Sequence, residues 1–328
     1  MSVDWPRFAE LVASHQRFIL TTHIRSDCDA LGSILGLSAV LKTLGKETIL
    51  VTGDETPPNL AFLDPENEIK TLGNEVSAAD LEGYDVLIIC DTSAWAQLGP
   101  MGDVIRGTAA KKLLVDHHVG EDEGLDVEIF KNTTAAATGR LIVEAAEQLG
   151  VELTPQMATP LYAALATDTG WFRFNSVTAI TMDVGAKLIA AGARPQEIYT
   201  SLYEQDSLAR LKLRGRIIGR TETLLDGRLA HTHVFRSDLD ETGAVPTDTE
   251  DVINLTLGVK GVEAAVIFVE QPDGGFKLSF RSRCDLNCSE IASQFGGGGH
   301  KAAAGAYIVG PFEVAQKTVL DFVSGAMG

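Results

Sequence analysis

RFILTTHIRSDCDALGSILGLSAVLKTLGKETILVTG (17–53) is the stretch whose reading decides the fold. RFILTTH (17–23) is an apolar, β-branched run of strand length. DALGSILGLSAVLKTLGK (29–46) has helix length and stops at Gly45, and ETILVTG (47–53) returns to strand character. The unit repeats outward. DVLIICDTS (85–93), KKLLVDHH (111–118) and LDVEIFKN (125–132) are further strands, and a helix is expected from Thr133 or Thr134, as caps, to about Gly150. MATPLYAALATDTGWF (157–172) reads as another helix running into a loop. Strands apolar on both faces, alternating with helices, imply a buried parallel sheet in an α/β domain.

The chain changes character after about residue 190. SLYEQDSLARLKLRGRIIGR (201–220) is helical and charge-rich, and suits a connector. GRLAHTHVF (227–235), VEAAVIFVEQ (262–271) and FKLSFRSR (276–283) read as strands, the last two joined through a PDGG turn. LNCSEIASQF (286–295) reads as a helix running into GGGGH (296–300), which alone would be a flexible loop. The 328 residues therefore divide into a first domain at 1–190, a helical linker at 191–222 and a smaller mixed α/β domain at 223–328.

Composition narrows the function. The 27 basic against 45 acidic residues leave a net charge of −18, which argues against coating long duplex nucleic acid. A small anion held in a local basic or metal-lined pocket stays open. No apolar run reaches membrane-spanning length, the first residues lack the apolar core of a signal peptide, and the four cysteines have no metal or disulfide spacing. A reduced, cytoplasmic protein is expected.

Acids and histidines gather where strands and helices end: His23, Asp27 and Asp29; Asp91; Asp116, His117 and His118; and Asp168. In an open α/β sheet these ends share one edge, where ligands bind. Singly, each has a plain reading: Asp27 and Asp29 as helix caps, Asp91 and Asp168 as turn residues, His23 as a hydrogen-bonded histidine. Brought together, four carboxylates repel by about 1 kcal/mol per pair in water at 4 Å, and about 4 kcal/mol at a protein-like dielectric. Two divalent cations bridged by one carboxylate would reverse that sign, and a mixed imidazole–carboxylate set suits manganese better than magnesium. The N–H groups around Ala30–Ser33 are expected to face the same anionic site.

These motifs resemble the DHH phosphoesterase family. His23-x-x-x-Asp27-x-Asp29, Asp91, Asp116-His117-His118 and Asp168 are similar to its four motifs, and FRSRCDLNCSEIASQFGGGGHKAAAGA (280–306) to its associated C-terminal domain. One departure is Ser26-Asp27-Cys28-Asp29, where members more often carry Pro-Asp-Gly/Ala-Asp. The resemblance implies a parallel-sheet DHH domain joined by a linker helix to a smaller mixed domain, with the active site in the cleft between them. It implies two Mn2+, with Mg2+ or Co2+ as substitutes: His23, Asp27 and Asp91 on one, Asp29, Asp91, His117 and Asp168 on the other. Asp116 would orient a histidine, and His118 would face the scissile phosphate. Arg281, Ser282, Arg283, Gly298, Gly299, His300 and Lys301 would bind substrate, with Arg173 neutralising charge on the phosphoryl oxygens. The branch most resembled is the oligoribonuclease (nanoRNase) and 3′-phosphoadenosine 5′-phosphate phosphatase branch. It implies hydrolysis of short RNA, two to a few nucleotides long, from the 5′ end, with no membrane partner and a homodimer through the first domain. Two alternatives stay open: a cyclic or linear dinucleotide phosphodiesterase, and a non-catalytic nucleotide-binding regulator. The complete ligand set argues against the second.

Overall fold

The structure, a computed structural model, describes residues 3–119, 124–250 and 252–328. The chain divides into two compact units, Met1–Gln205 and Asp206–Gly328. Among the described residues no helix is long and apolar enough to cross a membrane.

The first unit runs α1 (Trp5–Ser14), β1 (Arg17–Thr21), α2 (Cys28–Thr43), β2 (Glu47–Thr52), β3 (Ile69–Thr71), β4 (Val86–Cys90), α3 (Met101–Gly107), β5 (Lys111–Asp116), β6 (Glu128–Lys131), α4 (Thr138–Gln148), α5 (Pro155–Asp168), α6 (Ala179–Ala190) and α7 (Pro195–Tyr203). Its sheet is parallel throughout, in the order β3-β2-β1-β4-β5-β6. Alternate residues of each strand serve opposite cores. Phe18, Leu20, Ile88 and Val115 face the layer of α1, α2, α4 and α5, while Ile19, Leu87, Ile89 and Leu114 face the side that carries α3. This two-sided burial explains why the strands read as unbroken apolar runs.

Thirteen of the sixteen residues of α2 are buried, so it has no solvated face. It lies against α5 at close range because Gly32 and Gly36 lack side chains. A Cβ at Gly32 would stand 2.4 Å from the Pro160 carbonyl oxygen. From β1 the strand order runs outward through β2 to β3, then resumes on the other side with β4. The switch point therefore falls between the carboxyl ends of β1 and β4, the edge at which such sheets bind ligands.

The second unit runs α8 (Leu208–Gly219), β7 (Glu222–Leu224), β8 (Leu229–Val234), α9 (Arg236–Thr242), α10 (Val252–Leu257), β9 (Ala264–Glu270), β10 (Phe276–Ser282), α11 (Cys288–Ser293), β11 (Gly298–His300), β12 (Ala303–Ile308) and α12 (Phe312–Met327). Its sheet is mixed, in the order β11-β12-β10-β9-β8-β7, with only β8–β9 parallel. One face packs on α11 and α12, the other on α8 and α10. Asp238 pins α9 to α8: it is buried, takes a two-bond fork from Arg220 at 2.5 and 2.8 Å, and accepts the Phe235 N–H.

Three local expectations change. The helical stretch 201–220 is broken, because Ser207 caps α8 and α7 ends at Tyr203. The expected linker, 191–222, is thus divided between the units. Helix α4 begins five residues after Thr133, and neither Thr133 nor Thr134 caps it. Thr134 bonds instead to Asn132. Of GGGGH, Gly298–His300 form β11, and only Gly296 and Gly297 stay outside regular structure.

Candidate metal centre

Five elements deliver the site. His23 follows β1, Asp27 caps α2, Asp91 follows β4, His117 follows β5, and Asp168 is the last residue of α5. Asp91 has φ +65°, a left-handed conformation that aspartate tolerates better than most residues. It turns the chain out of the ladder directly after the Asp91 N–H bonds the Val115 carbonyl.

The two oxygens of Asp91 face two different imidazoles. Oδ2 is 3.6 Å from His23 Nε2, and Oδ1 is 3.5 Å from His117 Nε2. His117 Nε2 also lies 3.6 Å from Asp29 Oδ2 and 3.4 Å from Asp168 Oδ2. Three sets of donor atoms each converge within 4.8 Å: His23, Asp27 and Asp91; Asp29, His117 and Asp168; Asp91, His117 and His118.

The histidines are held in one tautomeric arrangement. His23 Nδ1 donates to the Ile24 carbonyl at 2.9 Å, His117 Nδ1 to the Ala135 carbonyl at 3.2 Å, and His118 Nδ1 to Asp116 Oδ1 at 2.9 Å. A ring that donates through Nδ1 keeps its Nε2 lone pair for something else. For His23 and His117 that lone pair meets carboxylate oxygens at 3.4–3.6 Å, too long for strong hydrogen bonds and near the spacing of ligands around one cation at about 2.1 Å.

Charge makes the same point. Asp29 and Asp91 are buried at the base of the site, 1% and 2% exposed. Burial, then Asp91 and Asp168, push the Asp29 carboxyl well above the usual range, against the pull of two backbone N–H groups. Burial also raises Asp168. His23 is raised to about 9 in the metal-free protein: burial opposes its charge, but the pull of the Asp91 carboxylate, the Ile24 carbonyl and Asp27 outweighs that. These residues fit divalent cations, which would relieve a repulsion the fold otherwise leaves in place.

Asp27 turns out to be both cap and site residue. Its Oδ1 accepts from the Asp29 and Ala30 N–H groups, while the carboxylate also belongs to the His23–Asp91 set. The start of α2 therefore has its N–H groups occupied, and the expectation that they face an anionic ligand is corrected. Asp116, fully buried, holds His118 through both its ring and its backbone N–H. Burial would raise its carboxyl, but those His118 bonds and the Lys131 charge hold it at about 2.

Two residues at the site escape sequence reading. Lys131, at the end of β6, places Nζ 3.3 Å from Asp116 Oδ2 and 3.2 Å from Ser93 Oγ. Thr138, at the start of α4, donates its hydroxyl to Asp91 Oδ1 at 2.9 Å. A charged residue ending a strand beside DHH was a usable signal for the first; nothing local marked the second. Arg173 is exposed and donates to the Gly170 carbonyl at 2.6 Å.

The other expected substrate residues lie in the second unit. His300 on β11 and Arg281 on β10 both stand opposite Ala303 on β12, so the two share one face of the sheet. Gly298, opposite Gly305, lies on that face too. Gly299 faces the other way, with φ +146°, and a Cβ there would meet the Ala303 carbonyl oxygen at 2.6 Å. Ser282 is nearly buried, Arg283 donates to the Leu257 carbonyl, and Lys301 is exposed, 3.7 Å from Asp285.

Comparison with known proteins follows the same division. Residues 17–165 match the DHH family, N-terminal domain, and residues 231–325 match the DHHA1 domain. The chain is 30% identical over 305 residues to the bifunctional oligoribonuclease and PAP phosphatase NrnA of Thermus thermophilus, covering 93% of this chain and 88% of that protein. It is 29% identical over 304 residues to the protein of the same name from Bacillus subtilis, covering 90% and 91%. The crystal structure of an exopolyphosphatase-related protein from Bacteroides fragilis shares the fold, with a TM-score of 0.82 at 23% identity over 98% of this chain and 95% of that one.

Proposed function

The chain belongs to the DHH family, and on that premise we propose that it is a manganese-dependent phosphoesterase. It hydrolyses short oligoribonucleotides to mononucleotides, from the 5′ end, and removes a phosphate from 3′-phosphoadenosine 5′-phosphate. The observation that carries the reading is the placing of two imidazole Nε2 atoms against the two oxygens of Asp91. A single carboxylate set between two donor groups suits a pair of cations acting on one phosphate.

His23, Asp27 and Asp91 would hold one cation, and Asp29, Asp91, His117 and Asp168 the other. Bound there, the ions would supply positive charge against the phosphoryl oxygens and acidify the attacking water. His118 is the chain's own proton carrier. Its Nδ1 is tied to Asp116, so Nε2 is the atom that gives a proton to the departing sugar oxygen. The Asp116 hydrogen bond raises the His118 pKa, which keeps the ring protonated further into neutral pH. Lys131 fixes the far oxygen of Asp116. Arg281 and His300, on one sheet face with Ala303 of the intervening strand between them, would take the terminal phosphate.

The test is a manganese-dependent digestion panel of diadenosine dinucleotide, long single-stranded RNA, 3′-phosphoadenosine 5′-phosphate and cyclic di-AMP, with Asp91→Ala as control. Fastest mononucleotide release from the linear dinucleotide, lost in the control, supports the proposal. Faster opening of the cyclic compound would make the protein a cyclic-dinucleotide phosphodiesterase. Binding without turnover on all four would make it a regulator.

A further inference from the structure

Directly after Asp168 and Thr169 the backbone reverses hand. Gly170, Trp171 and Phe172 have φ of +56°, +60° and +61°. Left-handed backbone is ordinary for glycine but costs about 1–2 kcal/mol for each of the bulky residues. The turn is fixed by bonds from the Gly170, Trp171 and Phe172 N–H groups back to Thr167, Ala166 and Thr169. Such strain persists where something is gained by the placement. Here it sets the indole of Trp171 edge-on to two tyrosines of α7, Tyr199 at 5.0 Å and Tyr203 at 5.6 Å between ring centroids. The two tyrosine rings are 4.9 Å apart.

This cluster is not sealed as a core would be. Tyr199 is 39% exposed and Tyr203 50% exposed. It also adjoins the metal centre. The turn follows the ligand candidate Asp168, and α7 packs on α5, which ends there. An open aromatic ring, backed by two others, with the exposed Arg173 on the adjoining turn, is the chemistry that receives the flat face of a nucleobase beside its phosphate.

We propose that Tyr203, supported by Trp171 and Tyr199, is a nucleobase-stacking surface that positions a nucleotide against the metal centre. This rests on the nucleotide-phosphoesterase reading and assigns it a specificity-determining residue. Because every base has a π face, the surface distinguishes base-bearing from base-free phosphates and is indifferent to which base is present. It accounts for the exposed rings and the strained turn together.

The test uses the full-length, manganese-loaded protein and reads binding as well as turnover. Calorimetric titration compares AMP with ribose 5-phosphate, which differ only in the base. Wild type should bind AMP about tenfold more tightly, the scale of one stacked base. Tyr203→Leu should remove that difference, and Tyr203→Phe should keep it. In turnover, Tyr203→Leu should raise KM for a dinucleotide with kcat retained, and leave an abasic dinucleotide unchanged. Equal affinity of wild type for AMP and ribose 5-phosphate would overturn the proposal, as would an equal effect of Tyr203→Leu on both ligands. Preference for AMP without hydrolysis of any substrate would sink the enzymatic reading and leave the stacking surface standing.

Discussion

Asp29 Oδ2 accepts the backbone N–H of Thr138 at 2.7 Å, so a carboxylate of the candidate metal centre caps a helix 109 residues further along the chain. Its other oxygen takes the Gly139 N–H at 2.8 Å. Helix α4 has Ala137 at its cap position and no side-chain cap of its own. Asp29 thus serves both stability and function, and substitutions should separate the two. Asp29→Ala leaves two buried N–H groups without an acceptor and should lower the stability of metal-free protein by about 1–2 kcal/mol. Asp29→Asn keeps one acceptor and removes a repelling charge, so its metal-free stability should equal or exceed that of wild type. Both should lose manganese affinity. Thermal unfolding in chelator checks this, and identical behaviour of the two variants would contradict it.

Metal loading should reverse the sign of the pH dependence of stability. In metal-free protein Asp29 and Asp168 have raised pKa values, so the folded state binds their protons before the unfolded state does, and stability increases as pH falls through those values. His23, raised to about 9, adds stability that is full below its unfolded value near 6.5 and is lost as pH rises through about 9. Metal-free protein should therefore be more stable at pH 6 than at pH 9. Manganese competes with those protons, so loaded protein should gain stability across the same rise. Melting curves at matched pH, with and without manganese, should slope in opposite directions.

His118 should owe its working pH range to Asp116. The Asp116 hydrogen bond raises the His118 pKa, and a proton donor stops working once it has lost its proton. Asp116→Asn should move the alkaline fall of kcat to lower pH, with manganese content retained. Lys131→Met should act in the opposite direction and more weakly, since it removes a positive charge from the far oxygen of Asp116 and leaves that carboxylate a stronger partner for the His118 proton. A pH–rate profile for each variant decides it. Unshifted alkaline limbs would remove His118 from the proton-donor role.

What was legible in the sequence follows physical lines. Phe18–Thr21, Val86–Cys90 and Leu113–Asp116 are buried on both faces, and such strands have only one appearance, an unbroken apolar run. His23, Asp27, Asp29, Asp91, His117 and Asp168 were legible because each ends or begins an element, and a parallel sheet gathers those ends. Long-range relations left no local trace. The cap on α4 lies far away in sequence, so Thr133 and Thr134 looked like better candidates than they are. Thr138 bonds outward from the start of α4, and nothing beside it signals the partner, whereas Lys131 carries the weaker signal of a charge at the end of β6. Helices α6 and α12 received no assignment although both are regular in the structure. Strand β11 was hidden because glycine has poor strand propensity, and its extended form is imposed by β12.

The four glycines before His300 should separate into two classes. Gly299 has φ +146°, and any Cβ would collide with the Ala303 carbonyl oxygen at 2.6 Å. Its small size is demanded by the sheet. Gly298 has open space where a Cβ would be and lies on the face shared by Arg281 and His300. Nothing in the fold requires glycine there, whereas a ligand approaching the backbone would. Gly299→Ala should therefore destabilise the second unit by about 1–3 kcal/mol. Gly298→Ala should leave stability within about 0.5 kcal/mol of wild type, the range for a surface change, and raise KM for short RNA several-fold. Chemical denaturation and steady-state kinetics on the two variants provide the comparison. A Gly298→Ala variant with unchanged KM would take this face of the sheet out of substrate binding, whatever became of Gly299.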